Sequence, residues 1–384
     1  VIRLLVAGTF LALVTFWLHR RLVRAPGLRG RSAIAANTAL GVLLVVALIG
    51  AQSGTSLDPR WARPFGFLGW TWLGVVLYLV LGTLLIGIVC LAARAVRRFR
   101  RGDAHPPDPS RRRALQIATG TLTVAAVAAV GYGTVEAARP RVVHTRIPLR
   151  RLPAGFDGMR VALVTDLHVG PSRGREFTRR AVDLVNAQQP DLIVLGGDLT
   201  DGTIAFVGQD LAPLADLRAS LGVYGVSGNH EYYADDALSW LDFWETLGVR
   251  TLRNERVALE RGGDVIDLAG IHDYSAPAPN EADLTAALQG RDPERFVLLA
   301  AHQPRQVFEA RDHGVDLQLS GHTHGGQMWP LGYVVPLQQP TVTGLDRFGD
   351  TLVYTSRGIG AWGPPVRIAT PPEVAILELK TFPG

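Results

Sequence analysis

Five of the ten histidines follow directly on short apolar runs: His168, His230, His302, His322 and His324. Asp166, Asp198 and Asn229 occupy the same relative places. One histidine after an apolar run is ordinarily a satisfied core or surface residue. Five of them, joined by two carboxylates and an amide, read as metal ligands. Oxygen and imidazole donors without thiolate suit manganese, iron or zinc. They outnumber what one tetrahedral ion takes, so two divalent ions are expected, Mn²⁺ first. A carboxylate such as Asp198 can lie between two cations and offset their repulsion. Paired ions about 3.5–4 Å apart are the usual device for hydrolysing phosphate esters. The single cysteine, Cys90, excludes an internal disulfide framework and a thiolate metal site.

The elements that must carry these side chains are legible as an α/β pattern. Arg160–Thr165 runs into Asp166-Leu167-His168, and Leu192–Leu195 into Gly196-Gly197-Asp198. Val223–Val226 leads to Gly228-Asn229-His230-Glu231, Phe296–Ala300 to His302, and Val315–Leu319 to Gly321-His322-Thr323-His324. Runs of this length, rich in Val, Ile and Leu, read as buried strands. Between them, 174–189 and 236–247 carry apolar residues at helical spacing, and Pro304 and Gly314 bracket a short helix. In open sheets of alternating strand and helix, ligands gather beyond the carboxyl ends of the strands. Every polar cluster here falls there.

The motif set Asp166-x-His168, Gly197-Asp198, Gly228-Asn229-His230-Glu231, His302 and Gly321-His322-x-His324 resembles the calcineurin-like metallophosphoesterases, in family order, across about 155–380. The resemblance implies a four-layer αββα sandwich of two facing sheets flanked by helices. It also implies roles. Asp166, His168 and His324 would hold one ion, Asn229, His302 and His322 the other, and Asp198 would bridge them. His230 would be no ligand but a proton donor or charge stabiliser at the leaving-group oxygen. Asp198-Leu199-Thr200-Asp201-Gly202 lacks the arginine that follows closely in the protein phosphatases of the family, which disfavours phosphoprotein hydrolysis. Gly325-Gly326-Gln327, Ser356-Arg357-Gly358-Ile359-Gly360 and Pro372-Glu373 are similar to the membrane-associated YkuE-type phosphodiesterase branch. Two further residues are candidate substrate contacts. His272 either faces the cleft or belongs to an ordinary polar turn, and Arg357 either grips phosphate as a bidentate donor or is a surface arginine. Glu231 either orients His230 or caps a helix. Trp329, Tyr333 and Trp362 cluster in the late loops and either contact a lipid or sugar or, as is the ordinary role of aromatics, pack.

The first 138 residues have a different composition. Four apolar runs, Leu4–Leu18, Ala33–Gly50, Phe67–Ala93 and Ala114–Val135, approach the ~20 residues needed to cross a bilayer. The first is short for that purpose. The mean hydropathy of +0.17 agrees with membrane segments. Five arginines fall in loop 19–32 and eight in 94–113, against two in 51–66. Alternation of basic loops puts the first pair in the cytoplasm and the domain after the fourth span outside it, although 139–151 adds five arginines on that side. Ser110-Arg111-Arg112-Arg113 is either ordinary cytoplasmic flanking charge or a twin-arginine export signal, and the first run, with no small-residue cleavage site and with Arg20-Arg21 on its far side, reads as an anchor rather than a signal peptide. The net charge of +5 divides into +16 over residues 1–150 and −11 over 151–384. An acidic folded half repels phosphate backbones, so no nucleic-acid partner is expected. Ionisable residues are nearly absent from the spans, which disfavours a transporter.

The expected organisation is a transmembrane region at 1–138, a linker at 139–155 and a catalytic domain at 156–384. The expected function is a multi-pass, membrane-anchored binuclear phosphoesterase with an extracytoplasmic domain. It would cleave a phosphodiester or pyrophosphate, with lipid-linked substrates among the candidates. The alternative is a catalytically silent metal-binding sensor or scaffold. Oligomeric state has no signature in the sequence.

Overall fold

A computed structural model describes residues 2–101 and 109–382. The amino-terminal half is four helices: α1 (Ile2–Leu18), α2 (Gly30–Gly50), α3 (Pro59–Arg101) and α4 (Pro109–Ala137). All four are long and apolar enough to cross a membrane. The first run gains the length it lacked because the helix continues through a π-helical turn, His19–Arg24, giving a span of 20 residues from Leu5 to Arg24. Arg112 and Gln116 of α4 donate to the carbonyls of Pro26 and Gly27, so the basic loop after α1 and the arginines opening α4 meet at one end of the bundle.

The rest of the chain alternates strands and helices. In order these are β1 (Arg141–Leu149), β2 (Arg160–Val164), α5 (Arg175–Asn186), β3 (Leu192–Leu195), α6 (Ile204–Leu211) and β4 (Val223–Gly225). Next come α7 (Glu231–Ala234), α8 (Ala237–Thr246), β5 (Arg250–Thr251), β6 (Glu255–Arg261), β7 (Asp264–Gly270) and α9 (Leu284–Ala287). The chain closes with β8 (Val297–Ala300), α10 (Val307–Asp312), β9 (Leu317–Ser320), β10 (Gly344–Phe348), β11 (Thr351–Thr355) and β12 (Glu373–Thr381). They form two six-stranded sheets, ordered β1-β12-β2-β3-β4-β5 and β10-β11-β9-β8-β7-β6.

The pleat explains why the two sheets face each other. Along β2, Val161 and Leu163 point into a core shared with Leu268, Leu298 and Leu319 of the second sheet. Ala162 and Val164 point the other way, against Phe177 and Val182 of α5 and close to Trp240 and Trp244 of α8. On the far side, Val297 and Leu299 pack under Leu284, Ala287 and Ala310. Strands buried on both faces must be apolar throughout, as β2, β3 and β8 are. The result is the expected four-layer order of helices, sheet, sheet and helices.

One expectation fails. The stretch 139–155, read as a linker, contains β1, which pairs in parallel with β12 from Arg141 opposite Glu373 to Leu149 opposite Thr381. It is an edge strand with an exposed, basic face, so its sequence looks like solvated chain. Residues 138–140 alone separate α4 from β1.

Candidate metal centre

The loops at the carboxyl ends of β2, β3 and β4 face those after β8 and β9 across the seam between the sheets. Five of the residues they present have left-handed backbone: Asp166, His168, Asp198, His322 and His324, with φ of 58°, 49°, 53°, 70° and 52°. Such φ is uncommon outside glycine, and asparagine, aspartate and histidine adopt it most readily. The turns double back sharply enough that two glycines are obligatory. A Cβ on Gly321 would collide with Thr165 and Asp166, and one on Gly228 with Asp198.

These turns bring the side chains together. The His168 and His324 Nε2 atoms lie 3.1 Å apart, and Asp166 Oδ1 lies 3.3 Å from His324 Nε2 and 3.9 Å from His168 Nε2. Asp198 Oδ2 lies 3.1 Å from His302 Nε2 and 3.8 Å from His168 Nε2. Three ligand groups result: Asp166, His168 and His324; His168, Asp198 and His230; and Asp198, His302 and His322. Asp198 belongs to two of them and His168 to two, so the groups form one continuous cluster. All seven side chains expected as ligands are in this neighbourhood, Asn229 through its place beside His230.

The donor set fits cations. Asn229 Oδ1 and His302 Nε2 are buried without a hydrogen-bond partner. His302 Nδ1 donates to the Gly196 carbonyl at 2.7 Å, and the Asn229 amide NH₂ to Tyr233 Oη at 2.9 Å. Each side chain is thereby oriented by one end while the other end, the one suited to a metal, is left free. A buried acceptor without a partner is costly, and a metal ion is one of the few groups that satisfies it.

Electrostatics point the same way. Burial disfavours charge on His302, but Asp198 and Asp166 outweigh it and hold the imidazole well above its ordinary value. Burial also opposes charging His230, and Asp198 with Asp201 lifts it to about 9. His322 goes the other way, to about 3, through burial and the neighbouring His302. The carboxylates of the cluster call for positive charge, and protons on two imidazoles supply it where no cation does.

Around the cluster lies a layer that sequence reasoning reached only in part. Asp201 Oδ1 accepts from both His168 Nδ1 and His230 Nδ1 at 2.7 Å. Burial works against its ionisation, and the two imidazoles more than offset this, keeping its carboxyl below the ordinary range. The signal available for it was the Asp-x-x-Asp spacing after β3. Glu231 neither orients His230 nor caps a helix. Its buried carboxylate accepts the backbone N–H groups of Gly228, Asp198 and Leu199 at 2.7, 3.0 and 2.8 Å, tying two metal loops together. Arg367, fully buried, had no signal at all. Its guanidinium donates to the carbonyls of His324, Gly360 and Arg357, and Nη2 lies 3.0 Å from His324 Nδ1.

The two candidate substrate contacts are engaged elsewhere. Arg357 directs Nε at Glu373 Oε2, 2.6 Å away, with Nη2 on the same carboxylate, so its fork is already occupied. His272 is buried with Nδ1 3.2 Å from Tyr232 Oη, and its backbone N–H donates to Asn254. Neither lines the cavity of 530 Å³ onto which Asp198, His230 and His322 open. His230 borders that cavity, its ring against Tyr233 at 4.8 Å between centroids and its Nε2 4.0 Å from Asp198 Oδ2.

Residues 159–326 match the family model for calcineurin-like phosphoesterases. A Danio rerio protein described as a transmembrane protein with metallophosphoesterase domain is 35% identical over 334 residues, covering 84% of this chain and 75% of that protein. An uncharacterized metallophosphoesterase of Helicobacter pylori is 40% identical over 248 residues, 63% of this chain and 64% of its own length. The uncharacterized metallophosphoesterase YkuE of Bacillus subtilis is 30% identical over 284 residues, 71% of this chain and 98% of its own length. The first of these alignments is longer than the two-sheet domain, so likeness extends beyond the motif block into the helical half. On that breadth, together with the cluster its loops build, the chain belongs to the calcineurin-like metallophosphoesterases as a membrane-anchored member.

Proposed function

We propose that the protein hydrolyses a phosphodiester or pyrophosphate bond with two divalent ions, Mn²⁺ foremost, held at the seam between the sheets. Asp166, His168 and His324 hold one ion, Asn229, His302 and His322 the other, and Asp198 lies between them. The observation that carries this reading is the sharing of Asp198 between ligand groups, with Asn229 Oδ1 and His302 Nε2 unpartnered beside it. When bound, such a pair of ions supplies an acidified water as nucleophile and offsets charge developing on the phosphoryl oxygens.

The chain's own residues do the rest. Asp201 accepts from His168 Nδ1 and so leaves His168 Nε2 free as a donor atom. The same carboxylate accepts from His230 Nδ1 and, together with Asp198, holds that ring as an imidazolium, so that Nε2 as well as Nδ1 carries a proton. His230 then protonates the leaving-group oxygen, a role typically worth ~10²–10⁴ in rate. Glu231 keeps the Asp198 and Asn229 loops in register through three backbone N–H groups. An extracytoplasmic domain is the orientation favoured by the positive-inside bias, since the basic loop after α1 and the start of α4 gather at the end of the bundle away from β1.

The test is hydrolysis of bis-p-nitrophenyl phosphate by the full chain in detergent, with Mn²⁺ and with chelator. Turnover that needs Mn²⁺ and vanishes on chelation supports the reading. Turnover indifferent to chelation rejects it.

A further inference from the structure

The helices fix where the bilayer surface meets the two-sheet domain. Between Arg63 and Arg94, α3 carries no charged residue. Twenty residues back from Arg94, about 30 Å of helix and the thickness of the hydrocarbon layer, is Gly74. On α4 the same count forward from Arg113 ends at Gly133. The two counts arrive at one layer of loops. A Cβ on Gly74 would stand 3.4 Å from Val366 and 3.5 Å from Met328, and one on Gly133 would stand 2.6 Å from Val366 and 2.7 Å from Ile368. Trp70 and Trp72 sit at this level, where tryptophans gather at membrane interfaces.

At the same level the loop 329–337 exposes an apolar surface. Trp329, Tyr333, Val334 and Leu337 are 56%, 78%, 53% and 81% exposed. Tyr78 of α3, one turn deeper than Gly74, donates to the Trp329 carbonyl at 2.7 Å and ties the loop to the helix. Four large apolar side chains left open on one loop have no use in water. The cavity beside the metal cluster runs to this place. His230 and His322 stand at one end, and Leu77, Leu331, Val334 and Val335 at the other. Leu77 belongs to the membrane helix itself. A volume of 530 Å³ with an apolar wall and convergent polar groups at one end is the shape of an amphiphile site.

We propose that this groove admits the hydrocarbon chain of a phosphorylated membrane lipid sideways from the bilayer, so that its phosphoester reaches the metal cluster while its tail stays among the lipids. The proposal rests on the hydrolase reading above and adds its substrate class. Loop 329–337 then lies in the headgroup layer, and its exposed apolar side chains are covered by lipid.

The experiment uses the full chain in phosphatidylcholine nanodiscs with Mn²⁺ and a series of alkyl p-nitrophenyl phosphodiesters with methyl, hexyl and dodecyl chains. In the unaltered protein kcat/KM is expected to rise about tenfold or more from methyl to dodecyl, a modest share of what chain burial can supply. Partition into the disc concentrates long chains for every variant alike, so the groove is read from Val334→Trp, an exposed position where a larger side chain leaves folding intact, and from Leu77→Trp. In both, the dodecyl-to-methyl ratio is expected to fall about fivefold or more below that of the unaltered protein, to the level that partition alone supplies, because the filled groove no longer buries chain. Metal content checks that each variant is folded at the site. A flat chain-length profile in the unaltered protein overturns the lipid proposal and leaves the phosphoesterase standing. An equally steep profile in both variants overturns the groove and assigns the effect to partition. Absence of hydrolysis for every ester, methyl included, overturns the hydrolase reading and this proposal with it.

Discussion

The two sheets contribute unlike halves of the cluster. The sheet containing β2, β3 and β4 supplies both carboxylates, the amide, His168 and His230, whereas the sheet containing β8 and β9 supplies His302, His322 and His324 and no acid. Two of the three ligand groups, Asp166-His168-His324 and Asp198-His302-His322, draw on both halves. The first half concentrates the negative charge, and the second offers imidazoles, of which His322 and His324 are pushed toward the neutral form by burial. Ions held by those shared groups would cross-link layers otherwise joined by apolar packing, which would couple metal binding to sheet packing.

The strongest way to break this picture is at the shared carboxylate. Asp198→Ala should lose bound metal and activity together, by more than ~10³-fold in kcat/KM, a larger effect than deleting one oxyanion donor. Metal analysis beside the assay checks it, and a variant that kept both ions would refute the bridging role. His230→Ala should instead retain metal while turnover drops ~10²–10⁴-fold. An empty site in that variant would make His230 a ligand, as its position in the second ligand group would also allow. Asp201→Asn tests the layer behind the first sheet. Its loss of a carboxylate from two imidazoles should weaken metal affinity ~10–100-fold with the fold intact, read by titration with Mn²⁺. The cross-link itself is read by melting. Saturating metal at ~100 Kd adds about 2.7 kcal/mol, which for a domain of this size moves Tm by roughly 5–10 °C. Equal melting with and without chelator would show that the sheets hold together without ions.

Much of this was legible before any coordinates. β2, β3 and β8 are short, mainly apolar runs because both their faces are covered, β9 alternates leucine with buried Gln318 and Ser320, and each ends in the polar cluster that it positions. Asp166, His168, Asp198, His230, His302, His322 and His324 declare themselves by type and spacing. The membrane helices follow from length and arginine placement. What stayed hidden has physical reasons. β1 alternates arginine and histidine with valine and isoleucine because one edge faces solvent, so it lacks the run that marks a buried strand. Arg367 is an isolated basic residue in a proline-rich loop, and only the fold shows that it closes over His324. Arg357 looked like a phosphate donor because sequence shows the fork and not the Glu373 that fills it. Apolar side chains of loop 329–337 read as packing residues, since exposure is a property of the folded surface.

The short passage from α4 into β1 sets how far the two-sheet domain can reach. With only residues 138–140 between the last membrane helix and a strand hydrogen-bonded into the sheet, the catalytic layer cannot swing on a tether. It works like a tool clamped at fixed height, scanning two dimensions as the helices diffuse, so its metal-ligand cluster meets only groups that ride at that altitude.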